Sequence, residues 1–190
     1  IGLVYNFNRE EADLTKSLVH PYVPRFPRHI SYDLVLFGSW RRKGVYVGEK
    51  QIASPGSYPV AGFNFAPMYN LNYKLRFGIS LDGVYDGSAN VYTEDALVEY
   101  DAGSGSSRRK FLVPGIQNQL ALGLSGRAEY VMPFFTIGVG LGTNVLGRGD
   151  LRGLYQVFAL KINVTRSSFL HIGYNLQDFQ TPNYLMLGLG

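Results

Sequence analysis

Three histidines, His20, His29 and His171, are the side chains of this chain best suited to acid–base chemistry near neutral pH. Their spacing fits no metal-binding motif, and the sequence contains no His-Glu-x-x-His, no Gly-x-Ser-x-Gly and no phosphate-binding loop. Cysteine is absent, which excludes a thiolate nucleophile, a disulfide and a cysteine zinc site. We therefore predict no cofactor and no metal. His171 is the one catalytic candidate, and a purely structural histidine is the alternative.

Charged residues form a few local clusters. The basic triplets 41–43 and 108–110 could contact phosphate groups or be ordinary charges at strand ends, and the sequence leaves both open. The net charge is only +4 and no DNA or RNA motif accompanies the triplets, so we predict no nucleic-acid partner. An acidic loop could bind calcium, but its spacing is not that of an EF-hand, which favours a solvated loop. Its members are Asp86, Glu94, Asp95, Glu99 and Asp101.

One segment, Tyr73–Tyr85, determines how these side chains are positioned. Large apolar or aromatic residues occupy nearly every odd position, and polar, charged or small residues occupy most even positions. A period of two over this length predicts a strand with two different environments. Twelve steps of roughly 3.3 Å, tilted by about 40°, climb about 30 Å, close to the thickness of the apolar layer of a bilayer. The segment is therefore typical of a transmembrane β-strand.

The same alternation recurs along the chain and predicts an all-β, antiparallel, up-and-down transmembrane β-barrel. Short turns at 67–72, 125–128 and 165–168 alternate with connections that are mostly longer, an asymmetry typical of outer-membrane barrels. A soluble sandwich or barrel is the alternative. The predicted strands are Ile30–Trp40, Tyr58–Ala66, Tyr73–Tyr85, Gln117–Leu124, Glu129–Gly142, Phe158–Val164, Phe169–Leu176 and Tyr184–Gly190.

The polar faces of these strands must point into a narrow lumen if the apolar faces meet lipid. Opposite charges can then pair inside the barrel. The predicted lumen residues are Asp33, Lys74, Arg76, Asp82 and Lys161.

Three segments make up the predicted domain organisation. Residues 1–7 form a strand that could close an upstream repeat, 8–28 form a proline-containing linker, and 29–190 form an eight-strand barrel unit. The total of nine strands is odd, whereas bacterial single-chain barrels have an even number. We therefore expect the chain to be a fragment of a two-repeat protein; a miscounted strand is the alternative.

A family resemblance rests on the strand around His171 and on Pro182-Asn183 in the loop that follows. A His-x-Ser-Asn strand followed by a Pro-Asn loop resembles the lipid A deacylases of the acyloxyacyl hydrolase family. His171 matches the family histidine, but Gly173 and Tyr174 stand where the serine and asparagine would be. A serine hydrolase without its serine has no acyl acceptor. The wider pattern resembles the C-terminal half of longer two-repeat members, on the segments 28–33, 37–40, 80–86 and 181–190.

The resemblance implies an outer-membrane barrel that is structural and non-catalytic in this segment, with a periplasmic C-terminus. It also implies membrane lipid and lipopolysaccharide as partners, with an outer-membrane protein as a further candidate. Whether the protein is an enzyme stays open at this point. The alternatives are an active lipid A deacylase whose catalytic residues lie mainly outside this segment, a scaffold subunit of an outer-membrane complex, and a soluble ligand-binding barrel.

Overall fold

A computed structural model describes residues 24–47, 50–53, 56–101 and 106–190. Within these ranges, no helix is long and apolar enough to cross a membrane. Two short 3₁₀ helices, Ile116–Asn118 and Gly149–Leu151, accompany twelve strands. The strands are β1 (His29–Arg41), β2 (Gly44–Val47), β3 (Lys50–Ala53), β4 (Tyr58–Asn70), β5 (Leu75–Asp86), β6 (Tyr92–Asp101), β7 (Ser106–Leu112), β8 (Leu120–Val131), β9 (Phe135–Leu146), β10 (Leu154–Asn163), β11 (Phe169–Gln177) and β12 (Thr181–Leu189).

Eight of these strands form a closed barrel in the order β1-β12-β11-β10-β9-β8-β5-β4. Every pair in the barrel is antiparallel, and β1 closes the sheet by pairing Leu36–Gly38 with Leu187–Leu189. Within the barrel, each strand pairs with its neighbours along the chain, so the topology is up-and-down. The predicted all-β, antiparallel barrel with eight strands in 29–190 is confirmed. The strand predicted at 1–7 and most of the linker at 8–28 lie outside the described residues.

The two faces of the wall differ as the alternation predicts. Along β1 the outward residues Ile30, Leu34 and Leu36 are exposed, whereas Asp33 and Val35 between them are buried. Aromatic side chains stand near both ends of the outer wall, such as Tyr32 at one end and Trp40 at the other. An apolar outer band between aromatic rings fits a barrel that spans a membrane.

The two ends of the barrel carry different connections. At the end that we call the turn end, β4–β5, β8–β9 and β10–β11 are joined by short turns at 71–74, 132–134 and 164–168. At the opposite end, called the loop end, the connections β1–β4 and β5–β8 contain the antiparallel hairpins β2–β3 and β6–β7. Both connections were predicted as loops without strands. The end-to-end asymmetry matches the sequence pattern.

The turn predicted at 125–128 is wrong, because these residues lie inside β8. The Ser-Gly-Arg composition is typical of a turn, yet Gly126 faces outward while Ser125 and Arg127 face the lumen. The chain turns instead at 132–134, a segment that contains Pro133. Since an outward glycine removes one apolar side chain from the alternation, the strand looks interrupted in the sequence.

Pro67 was predicted in a turn but lies in the wall, within β4. It is accommodated by Gly78 of β5, where an added Cβ would come within 2.0 Å of the Pro67 carbonyl oxygen. Gly78 is therefore required by the close approach of the two backbones.

Candidate functional site: the polar interior of the barrel

A ring of four charged side chains crosses the lumen near the turn end. Arg76 donates to Asp33 at 2.8 Å and to Glu129 at 2.6 Å. Lys161 donates to the same two carboxylates, at 2.7 Å to Asp33 and 2.6 Å to Glu129. Two carboxylates and two cations thus alternate, and their formal charges cancel. This arrangement ties β1, β5, β8 and β10 together across the lumen.

The carboxylate of Asp82 is the centre of a second network in the middle of the barrel. It accepts hydrogen bonds from Arg127 at 2.8 Å and, each at 2.6 Å, from four other side chains. These donors are Asn64, Ser80, Ser125 and Tyr155. A buried carboxylate with this many donors is fully compensated.

His171 lies between the two networks. The residue is 2% exposed, and it pairs across the sheet with Lys161 on one side. Within the described part of the chain, neither ring nitrogen has a hydrogen-bond partner, nor does the Oδ1 atom of Asn64, which lines the same small cavity. A catalytic histidine needs a nucleophile within hydrogen-bond reach, and no hydroxyl of the residues that the structure describes is hydrogen-bonded to this ring. His171 is also shielded from the outer wall, because its side chain points into the lumen.

Hydrogen-bonded loops form a cap over part of the loop end. Asn90 and Asp150 exchange two bonds, in which each backbone N–H donates to the other side chain, at 3.0 and 2.9 Å. Arg41 pairs with Asp86 at 3.2 Å, and Lys43 pairs with Asp150. Arg41 therefore links the loop-end residues of β1 and β5, and Lys43 holds the β9–β10 connection to the segment that follows β1.

The electrostatics of the cap favour ionised Asp150. Partial burial opposes the charge of its carboxylate, but the bonds from Lys43 and from the Asn90 backbone, together with the positive charges of Lys43 and Arg41, outweigh that cost. They hold the pKa of Asp150 below its usual range.

The lumen between the two ends is filled by side chains. Its interior cavities have volumes of about 20 Å³ near Tyr155 and about 10 Å³ near His171, room for roughly one water molecule each. Wider mouths of about 890 Å³ and about 810 Å³ open at the turn end and the loop end. The described interior of the barrel is consequently a packed polar core.

A family model described as acyloxyacyl hydrolase, C-terminal domain, matches residues 30–190. The match covers the barrel except for its first residue, His29. The chain belongs to this family. No curated protein and no solved structure matches the chain.

Within this acyloxyacyl hydrolase C-terminal domain, a side chain at the position that resembles the motif serine would require its neighbours to shift. A Cβ added to Gly173 would come within 2.7 Å of His171 Nε2 and 2.6 Å of Met186 Cε. Gly173 also faces the lumen, as His171 does. Pro182 and Asn183 lie at the start of β12, and Asn183 donates to Asn175 at 3.0 Å. These residues contribute to the wall and cap.

The structure places four of the five predicted lumen residues inside the barrel: Asp33, Arg76, Asp82 and Lys161. Asp33, Arg76 and Lys161 form one ring, and Asp82 belongs to the other network. Lys74 is a correction. It is exposed in the β4–β5 turn, because β5 begins at Leu75, two residues later than predicted.

Sequence reasoning missed Glu129 and Arg127, the partners that complete the two networks. Both lie in the half of β8 that was predicted to hold a turn and the start of another strand. The alternation from Leu120 through Leu124 was the available signal, since continuing it places residues 127 and 129 inward. Among the described residues, no group of three or more histidine, aspartate or glutamate side chains is placed to hold a metal ion.

Proposed function

We propose that this chain is a structural, non-catalytic barrel segment of an acyloxyacyl hydrolase-like outer-membrane protein. Its partners are membrane lipids and lipopolysaccharide, which its apolar outer wall and loop end contact. The segment anchors and positions the rest of the protein in the membrane, and it does not cleave acyl esters itself.

The orientation of His171 is the observation that carries this proposal. An acyl-ester hydrolase must bring its base and nucleophile to the lipid, yet this ring is 2% exposed and faces a filled lumen. The neighbouring position, Gly173, supplies no hydroxyl. The lumen carboxylates already take part in ion pairs and hydrogen bonds that link strands across the lumen. The polar groups of the interior thus support the wall.

Mass spectrometry of lipid A tests the proposal. The full-length protein and its His171→Ala variant are expressed in a Gram-negative host, and the acyl chains of the extracted lipid A are counted. We expect identical lipid A from both strains. Loss of an acyl chain that depends on His171 would refute the non-catalytic assignment.

The proposed topology places the loop end outside the cell and the C-terminus in the periplasm. The short turns at 71–74, 132–134 and 164–168 support it, because outer-membrane barrels have short periplasmic turns. Single cysteines at exposed Lys74 and Arg152 test it with a membrane-impermeant thiol reagent on intact cells. We expect labelling at residue 152 alone; labelling at 74 alone would reverse the topology.

An active lipid A deacylase is the second candidate, and the family description favours it, since that description names a hydrolase and a C-terminal domain. On this hypothesis the catalytic residues lie mainly outside the present chain. The full-length protein would then remove an acyl chain from lipid A, and His171→Ala would leave that activity unchanged.

A further inference from the structure

A small cavity in the lumen lies between the charged ring near the turn end and the hydrogen-bond network around Asp82. Its lining includes three side chains of the ring, and Asn64, Ser80 and Arg127 of the network. His171 lines the same cavity. The volume is about 10 Å³, which is room for roughly one water molecule.

Two of these side chains carry polar atoms that have no partner among the described residues. Both ring nitrogens of buried His171 are unpartnered, and so is Oδ1 of buried Asn64. The orientation of the Asn64 amide is fixed, because its Nδ2 donates to the Asp82 carboxylate at 2.6 Å; exchanging the two atoms would place an oxygen against that carboxylate. Buried polar atoms without a hydrogen bond are costly. The cavity therefore requires a ligand that can both accept and donate.

The charges around the cavity cancel, which selects a neutral ligand. Every carboxylate of the ring and of the network is bonded to a cation. The carboxylates are Asp33, Asp82 and Glu129, and the cations are Arg76, Arg127 and Lys161. An ion of either sign would add a buried charge that nothing compensates. Water fits both the volume and the charge.

We propose that His171 and Asn64 bind one water molecule in this cavity, and that this water links the two polar networks of the lumen. A ring N–H of His171 donates to the water oxygen. The water donates to Asn64 Oδ1 and to Ser80 Oγ, which is left to accept because the hydroxyl hydrogen of Ser80 goes to Asp82 at 2.6 Å. Three hydrogen bonds are typical of a buried water molecule.

Gly173 allows the His171 ring to lie at this cavity. A Cβ built on Gly173 would stand 2.7 Å from His171 Nε2, so the ring packs directly against the glycine. In this arrangement His171 is a positioning residue for the water and through it for β4 and β11. The inference deepens the structural role proposed for His171 and rests on it.

NMR of the full chain in detergent micelles, with ¹⁵N-labelled histidine, tests the wild-type protein directly. The signals of His171 are identified by their loss in His171→Gln. We expect one ring tautomer, with an N–H proton that exchanges slowly and shows a nuclear Overhauser effect to a long-lived water molecule. A ring N–H proton without contact to water, or one bonded directly to the Asn64 side chain, would overturn the proposal.

A double-mutant cycle tests whether the two side chains share the water. His171→Phe removes the ring nitrogens, and Asn64→Leu removes the amide. Each should lower the equilibrium constant for folding about fivefold or more in a urea titration. Since either change alone leaves the water with too few partners, the double variant should lose less than the product of the two effects. His171→Gln keeps a side-chain N–H and should recover most of the loss seen in His171→Phe.

Thr136→Val is the matched control, because Thr136 is a buried polar residue that does not line this cavity. Its effect should multiply with that of Asn64→Leu. If the effects of His171→Phe and Asn64→Leu also multiplied, the shared water would be refuted; the lost bond between Asn64 and Asp82 is common to the single and the double variant and cancels. Lipid A cleavage that depends on His171 would instead refute the non-catalytic role, whereas a missing water contact would leave that role intact.

Discussion

Replacing Lys161 by methionine tests whether the charged ring near the turn end stabilises the barrel. The residue is buried and donates two charged hydrogen bonds, at 2.7 Å to Asp33 and 2.6 Å to Glu129. Methionine replaces the apolar stem of the side chain but removes the ammonium group, which leaves one excess negative charge in the lumen. Breaking a buried ion pair by removing one partner typically costs about 3–5 kcal/mol. Because Arg76 still bonds both carboxylates, we expect the lower end, about 3 kcal/mol.

Urea unfolding in lipid vesicles, followed by the fluorescence of Trp40, measures this decrease in the free energy of unfolding. Trp40 is the only tryptophan of the chain and is exposed on the outer wall, so its emission shifts when the barrel leaves the bilayer. The same substitution at Lys74, which is exposed in a turn, is the control. It should change the free energy of unfolding by less than about 0.5 kcal/mol.

A double variant separates the charge from the packing. Lys161→Met combined with Glu129→Gln restores charge balance in the ring, so it should be at least about 1 kcal/mol more stable than Lys161→Met alone. If Lys161→Met cost no more than Lys74→Met, the ring would not stabilise the barrel. If the double variant were the less stable one, the loss would come from packing and not from the unpaired charge.

Two further predictions concern the wall and the cap. Gly78→Ala should cost about 3 kcal/mol or more, because the new Cβ would stand 2.0 Å from the Pro67 carbonyl oxygen. Gly126→Ala should be tolerated in the same urea titration, and equal losses would contradict the close approach. Because the pKa of Asp150 is lowered in the folded protein, its ionised carboxylate contributes fully to the stability of the cap above the ordinary aspartate pKa of about 3.9. This contribution is lost as the pH falls through the lower pKa of the folded state. The protection of the Asn90 amide against hydrogen exchange should therefore be constant from about pH 7 to about pH 4, after correction for intrinsic exchange rates. Asp150→Asn should lower this protection over the same pH range, by less than about 1 kcal/mol. Unchanged protection in Asp150→Asn would contradict the prediction.

Local alternation was sufficient to predict the wall of the barrel. In β9 the residues from Phe135 to Leu141 alternate large and small without interruption, and their outward and inward faces were predicted correctly. The period of two is a property of the backbone, so it can be recognised from a single segment. The number of barrel strands followed from counting such segments.

The pairing of the interior could not be predicted in the same way. Glu129 meets Lys161 only because β8, β9 and β10 pair in a particular register, and register depends on where each turn falls. The turn at 132–134 was missed because Gly126 and Ala128 interrupt the apolar face of β8. Lys74 was misplaced for a similar reason, as the alternation continues into the turn before β5. Residues 36–38 of β1 pair with residues 187–189 of β12, which closes the sheet between its first and last strands. No local pattern in the sequence indicates this pairing.

Incubation of the purified chain with lipid A in vesicles tests the central claim most directly. The released fatty acid is quantified by mass spectrometry against an empty-vesicle control. The lumen position of His171, which is 2% exposed, predicts no release above the control. Release of fatty acid that is abolished by His171→Ala would contradict the assignment of this barrel as a structural, non-catalytic segment.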